Sequence, residues 1–234
     1  MMTQNSLHYL AKKEPWEVAD MGKTPQLKSI YDIKLKSSTG EDDVLAKYRG
    51  KVTLITNTTG HCGNAPQFGI LEGLYRKYKD RGFEVLAVPT NDFCGPKVTY
   101  GIYEDGITSG KMSEDYARKE WDVTYGFTDL VCSVPFRDPE KDDLDKTAHE
   151  LYLNLNPDQE AAPMHGNFEK FLVDRSGKVV LRLPNFVLLH FAYEDGLCDS
   201  PEVELARLES KIEETLDQPW DGSSYEFSVD ELPE

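Results

Sequence analysis

The 234-residue chain has no CxxC pair, no block of basic residues and no apolar stretch of membrane-spanning length. Its four cysteines, Cys62, Cys94, Cys132 and Cys198, are far apart, whereas a zinc site draws on closely spaced Cys and His ligands. No metal and no other cofactor are therefore expected. The net charge is −16, and Lys and Arg form no sizeable cluster. Nucleic acid and anionic membranes both call for a basic surface facing phosphates, so neither is an expected partner; the acidity serves solubility. The first residues, Met1 to Glu17, lack the apolar core of a secretory signal. A chain of this size needs no disulfide framework, and a cytoplasmic protein with reduced thiols is the expectation.

What is present is an alternation of apolar runs with helical periodicity. Residues 52–56 (VTLIT) and 83–88 (FEVLAV) are short apolar runs, the pattern of strands buried on both faces of a parallel sheet. Between them Phe68, Leu71, Leu74, Tyr75 and Tyr78 fall on one side of a helix. Pro66 suits its first turn and Gly82 ends it. Residues 52–88 thus read strand, helix, strand, a parallel unit with a right-handed crossover.

Around this unit, residues 30–35 alternate apolar and polar like a half-buried strand. Residues 113–121 suggest a short helix capped by Ser113. Residues 136–146 read as a charged loop and 147–155 as a helical turn. Residues 168–173 and 178–183 suggest a hairpin around Ser176-Gly177, and Leu205, Leu208, Ile212 and Leu216 mark a C-terminal helix over 201–216. The expected organisation is an N-terminal extension (1–27), one α/β domain (28–216), and a loosely held acidic tail (217–234).

Chemistry is most legible in Asn57-Thr58-Thr59-Gly60-His61-Cys62-Gly63. Cys62 lies between the first buried strand and its helix, at the carboxyl end of a parallel strand, where α/β proteins build their sites. A helix N-terminus presents N–H groups and positive potential that favour a thiolate, the reactive form of cysteine. A buried, inert cysteine is the alternative reading. Asp92 and the acidic pairs Asp42-Asp43 and Asp142-Asp143 read as solvated loop charges. His149 reads as a packing or surface residue, and Phe68, Tyr75 and Tyr78 as a core face.

The sequence resembles the glutathione peroxidase family over roughly residues 30–190. The likeness runs through Tyr31-Asp32, Tyr48 to Val52, Asn57, Cys62-Gly63, Pro66-Gln67-Phe68, Leu74-Tyr75, Lys77 to Lys79, Gly82 to Leu86 and Pro89 to Phe93. A second block is Asn167 to Asp174, then Gly177 to Val180. The resemblance implies a thioredoxin-like fold, a central mixed sheet flanked by helices. It implies a peroxidase that reduces hydrogen peroxide or organic hydroperoxides, with Cys62 as the peroxidatic residue and Asn167 as a supporting donor. Glutathione or thioredoxin would return the electrons. The short interval between Cys132 and Asn167 resembles monomeric members of the family.

The sequence also departs from the family pattern. Gly166 stands where the family has a Trp, Pro96 or Lys97 where it has a Gln, and Ala65 where it has a Thr. Lys97 or His165 is a candidate, by position alone, to stand in for the missing donors. For a resolving thiol, Cys94 is the local candidate, with an incidental loop cysteine as the other reading and an external thiol as the other route. Two rival functions follow: a catalytically weak redox sensor acting through oxidised Cys62, or another thiol oxidoreductase.

Overall fold

The structure, a computed structural model, describes residues 25–60, 62–93, 107–133, 136–138, 143–146, 148–157, 164, 166–196 and 198–228. The two buried runs form β1 (Val52–Thr58) and β2 (Phe83–Pro89), joined by α1 (Gln67–Tyr78). They pair in parallel, Val52 opposite Phe83 through Thr58 opposite Pro89. Every residue of β1 is buried, as a central strand with both faces covered requires. A second crossover through α2 (Gly110–Trp121) brings β3 (Gly126–Phe127) beside β2, again in parallel.

On the other side of β1 runs the hairpin of β6 (Lys170–Val173) and β7 (Val179–Leu183), with β6 antiparallel to β1. The sheet is therefore mixed and five-stranded, in the order β3-β2-β1-β6-β7. A separate two-stranded ribbon, β4 (Phe136–Asp138) with β5 (Asp143–Lys146), occupies part of the expected charged loop.

Strand alternation divides the core between the two faces. Val52, Leu54, Val85, Ala87, Leu172 and Leu181 meet Phe68, Leu71 and Leu74 of α1 and Leu208, Ile212 and Leu216 of α5 (Pro201–Asp217). Ile55, Leu86, Val88, Phe171 and Val173 meet Ile30, Tyr31 and Leu45 and the residues Leu151, Tyr152 and Leu155 of α3 (Glu150–Leu155). A short α4 (His190–Glu194) precedes α5. Among the described residues no helix is long and apolar enough to cross a membrane.

Several expectations are revised. Residues 30–35 do not form a sheet strand: Ile30–Asp32 is a 3-10 turn, and Ile33 and Leu35 are then buried while Lys34 is exposed. The alternation reports a segment lying flat on the core, which needs no ladder partner. The cap of α2 is Ser109, whose side chain accepts from Met112 N. Ser113 instead donates from Oγ to Thr59 O at 3.0 Å, gripping the loop beyond β1. The tail is docked as far as it is described: Tyr225 N donates to Ser176 O at 2.8 Å, Tyr225 Oη to Gln26 O at 2.9 Å, and Glu226 bridges to Lys28. Aromatic and amide groups give that acidic segment a specific seat, which its charge pattern conceals.

Candidate active site

β1 delivers the chain to the carboxyl edge of the sheet, and residues 62–66 turn it into α1. Ala65 N donates to Cys62 O at 2.9 Å and Gln67 N to Asn64 O at 3.1 Å, tightening the approach to the helix. Pro66 caps α1 without a side-chain bond, leaving first-turn N–H groups to be satisfied elsewhere. One N–H in the preceding turn finds the sulfur: Asn64 N donates to Cys62 Sγ at 3.4 Å. Asn167 Nδ2 approaches the same sulfur at 3.9 Å. Cys62 and Asn167, 105 residues apart in sequence, are thus brought together. Cys62 is half-buried and, like Cys132 and Cys198, a thiol and not half of a disulfide. Donors directed at a thiolate hold negative charge on sulfur and lower the cost of forming it.

The turn that carries Asn167 is built from β1. Asn57 is fully buried and holds three peptides of the opposite segment. Its Nδ2 donates to Gly166 O at 3.0 Å, its Oδ1 accepts from Glu169 N at 2.8 Å, and its O accepts from Phe168 N at 2.6 Å. Phe168 is held at φ 74°, a left-handed conformation uncommon for an aromatic residue. Its ring packs edge-on against Phe68 of α1 at 4.8 Å between centroids. Asn64 Nδ2 completes the link by donating to Asn167 O at 2.9 Å.

Lys170 joins this turn to the loop after β7. It is fully buried, and its Nζ donates to Phe168 O at 2.8 Å and to Pro184 O and Val187 O at 3.3 Å. Burial pushes its ammonium down to about 7, and the neighbouring Glu169 pulls it partly back. Glu169 is itself buried and paired to Arg182 at 2.9 Å; desolvation raises its carboxyl, and Arg182 opposes that rise.

The missing Trp has a physical counterpart. A Cβ built on Gly166 would lie 2.5 Å from Asn185 Nδ2. Asn185 fills the direction a larger side chain at 166 would take, so an indole has no room there. Ala65 is buried in the core beneath the sulfur.

The other expected residues separate. Cys132 donates from Sγ to Asp92 Oδ1 at 3.6 Å. Asp92 is not a solvated charge: its carboxylate also accepts from Thr90 Oγ1, from Ser133 N and from Ser133 Oγ at 2.8 Å, tying the end of β2 to residues 132–133. Asp42 and Asp43 do sit on the surface, paired with Lys36 and Lys34. His149 caps α3, its Nδ1 accepting from Leu151 N at 3.1 Å. Cys198 lies beside Glu204 and Asp199, and burial pushes its thiol up to about 11. Cys94, Pro96, Lys97, His61, Asp142 and His165 lie outside the described residues.

Asn57, Gln67, Lys170 and Asn185 shape the site, yet only the first three carried a sequence signal, as members of the matched runs. A polar residue inside an apolar strand, such as Asn57, is the feature that marks them physically, since buried polar groups are kept where they bind something.

Known proteins share the sequence pattern and the fold. The glutathione peroxidase family profile matches residues 30–125. A glutathione peroxidase of Lactococcus lactis is 33% identical over 158 residues, covering 66% of this chain and 88% of the relative. Glutathione peroxidase-like peroxiredoxin 2 of Saccharomyces cerevisiae is 35% identical over 159 residues, covering 66% of this chain and 86% of the relative. The crystal structure of Trgpx in apo form superposes with a TM-score of 0.52 at 25% identity, over 82% of this chain and 97% of that one. With its thioredoxin-like sheet and Cys62 facing Asn167, the chain belongs to the glutathione peroxidase family.

Proposed function

We propose that the protein is a thiol-dependent peroxidase that reduces hydrogen peroxide or organic hydroperoxides on Cys62. The observation that carries this is the pairing of one half-buried sulfur with two N–H donors, Asn64 N at 3.4 Å and Asn167 Nδ2 at 3.9 Å. In the reaction the Cys62 thiolate attacks the terminal peroxide oxygen. The S–O bond forms, the O–O bond breaks, and the leaving oxygen takes a proton to depart as water or alcohol. Sulfur is oxidised by two electrons to the sulfenic acid as the peroxide is reduced. A thiol then displaces water to form a disulfide, and a second thiol restores Cys62.

The reductant in this reading is glutathione or thioredoxin. Cys198, its thiol held protonated up to about pH 11, is a poor internal reductant because the thiolate is the attacking species. The test is peroxide consumption with each donor in the wild type and in Cys62→Ser. Repeated turnover that vanishes in the variant supports the peroxidase. Stoichiometric oxidation with slow return supports the redox-sensor reading, and peroxide consumption that persists in Cys62→Ser overturns both.

A further inference from the structure

Lys170 is a fully buried ammonium with no step in the chemistry proposed for Cys62. Burying a charge is costly even when it is well bonded, and an apolar side chain of similar size avoids that cost. Burial accordingly loosens the proton, which is held only up to about 7. The charge facing it is Glu169, itself paired to Arg182 at 2.9 Å. A cation kept inside the fold on these terms specifies a conformation more than it adds stability.

Its partners show which conformation. Lys170 opens β6, where its backbone lies between Thr56 of β1 and Leu183 of β7. The side chain turns back over the residues that precede the strand. Nζ donates to Phe168 O at 2.8 Å, and to Pro184 O and Val187 O at 3.3 Å. All three carbonyls lie in loops, outside the sheet ladders and helices. The first belongs to the turn that carries Asn167. Phe168 has φ 74°, a conformation that persists in a bulky residue only where the surroundings hold it from several sides. Asn57 O takes its N–H at 2.6 Å, and Lys170 takes its carbonyl. Asn167, the residue before it, sends Nδ2 to Cys62 Sγ at 3.9 Å, while its Oδ1 has no partner among the described residues. That carboxamide is therefore aimed by its backbone, and Lys170 holds the backbone one residue further on.

We propose that Lys170 is a positioning residue of the Cys62 site. By binding Phe168 O it ties the turn to the loop after β7 and keeps the Asn167 carboxamide directed at the sulfur. The role deepens the peroxidase reading and, as a contribution to that reaction, rests on it. No proton or electron passes through Lys170; it acts through Asn167, whose N–H favours negative charge on sulfur.

The test is a double-mutant cycle on the full-length protein. Its readout is the rate at which iodoacetamide alkylates Cys62 across pH, followed at the Cys62 peptide by mass spectrometry. The thiolate is the reacting species, so on the rising limb of the profile the rate counts how much of it is present. Lys170→Met is expected to slow alkylation on that limb about threefold, the worth of one weak hydrogen bond, and to leave the plateau at high pH unchanged. Asn167→Ala gives at least the same fall, and in that background Lys170→Met adds nothing. Lys170→Gln, whose shorter amide does not span the three carbonyls, replaces the Met variant if that one does not fold. A fall that persists in the Asn167→Ala background shows Lys170 acting by its charge or through the fold at large, and overturns the inference. So does the absence of a fall in the folded Lys170 variant. Hydrogen peroxide is then supplied in place of iodoacetamide. Wild-type Cys62 that is alkylated but not oxidised overturns the peroxidase reading, and the alkylation cycle still decides whether Lys170 aims Asn167.

Discussion

Around Tyr31, at the amino end of β1, the polar side chains are hydrogen-bonded, whereas at its carboxyl end several buried acceptors have no partner among the described residues. The saturated end is organised around Tyr31, whose hydroxyl lies 2.6 Å from Lys51 O, 2.9 Å from Asp174 O and 3.1 Å from Thr53 Oγ1. Gln26 spends both ends of its carboxamide on the β6–β7 hairpin, donating to Gly177 O at 2.7 Å and accepting from Val179 N at 2.9 Å. Asp174 Oδ1 accepts from Ser176 N at 2.8 Å and Lys178 N at 3.0 Å. At the other end stand the acceptors of Gln67, Asn167 and Asn185, without a partner among the described residues, an ammonium buried among carbonyls, and an aromatic residue at positive φ. The same kinds of side chain serve both ends. Satisfied carboxamides and carboxylates make scaffold, and unsatisfied ones mark the end of the sheet that carries Cys62.

The sharpest way to break this contrast is Arg182→Met. It strands the Glu169 carboxylate, which is 2% exposed and whose backbone N is bonded to Asn57. Removing one member of a buried ion pair costs about 3–5 kcal/mol, measurable by chemical denaturation. Because the change reaches the Asn167 turn, Cys62 oxidation by peroxide slows as well. At the opposite end, Gly177→Ala is expected to cost about 1–3 kcal/mol. Gly177 has φ +94° and a Cβ there would fall 1.9 Å from Ser29 Oγ. In that variant the oxidation rate of the folded protein stays at the wild-type value, and a matching fall in rate would erase the distinction between the two ends.

A smaller effect comes from pH. Lys170 gives up its proton at about 7 when folded, while the unfolded chain holds it up to its ordinary value of 10.5. Above pH 7 the unfolded state therefore binds more protons, and the free energy of unfolding rises with pH. Cys198, raised from 9 to about 11, acts in the opposite direction above pH 9. The rising limb is expected between about pH 7 and pH 9, with a slope of at most about 1.4 kcal/mol per pH unit. Lys170→Met flattens it; an unchanged slope in the variant assigns the limb to another group. The smallest change is Tyr225→Phe, which removes the hydroxyl bond to Gln26 O. About 1 kcal/mol of stability is expected to go, with Cys62 reactivity unaltered.

The fold was largely legible because its central unit is local. Residues 52–88 carry two continuous apolar runs and one helical stripe, and the chain needs no distant information to pair β1 with β2. The position of Cys62 followed from that unit. Asn167 was legible only through the family resemblance, since nothing in its local pattern relates it to a sulfur 105 residues away. The supporting carboxamides are harder still. Gln67 reaches Asn185 across 118 residues and Asn57 reaches Gly166 across 109. Such pairings depend on how loops after β1 and β7 converge, which hydrophobic periodicity does not encode. Residues 30–35 misled for a related reason: period-2 burial occurs wherever extended chain lies on a core, with or without a neighbouring strand.

The contact of Phe168 with Phe68 has a thermodynamic consequence. One ring lies two residues into the secondary structure of α1's first turn, the other directly after Asn167, and both are fully buried. The spacing between sulfur and donor is therefore inherited from the interior of the molecule and not from the conformations of surface loops. Local fraying alone would leave it intact. Hydrogen exchange at Phe168 N, bonded to Asn57 O at 2.6 Å, is expected to require the same opening as the strands around it, so reactivity toward peroxide and cooperative structure should disappear at one temperature.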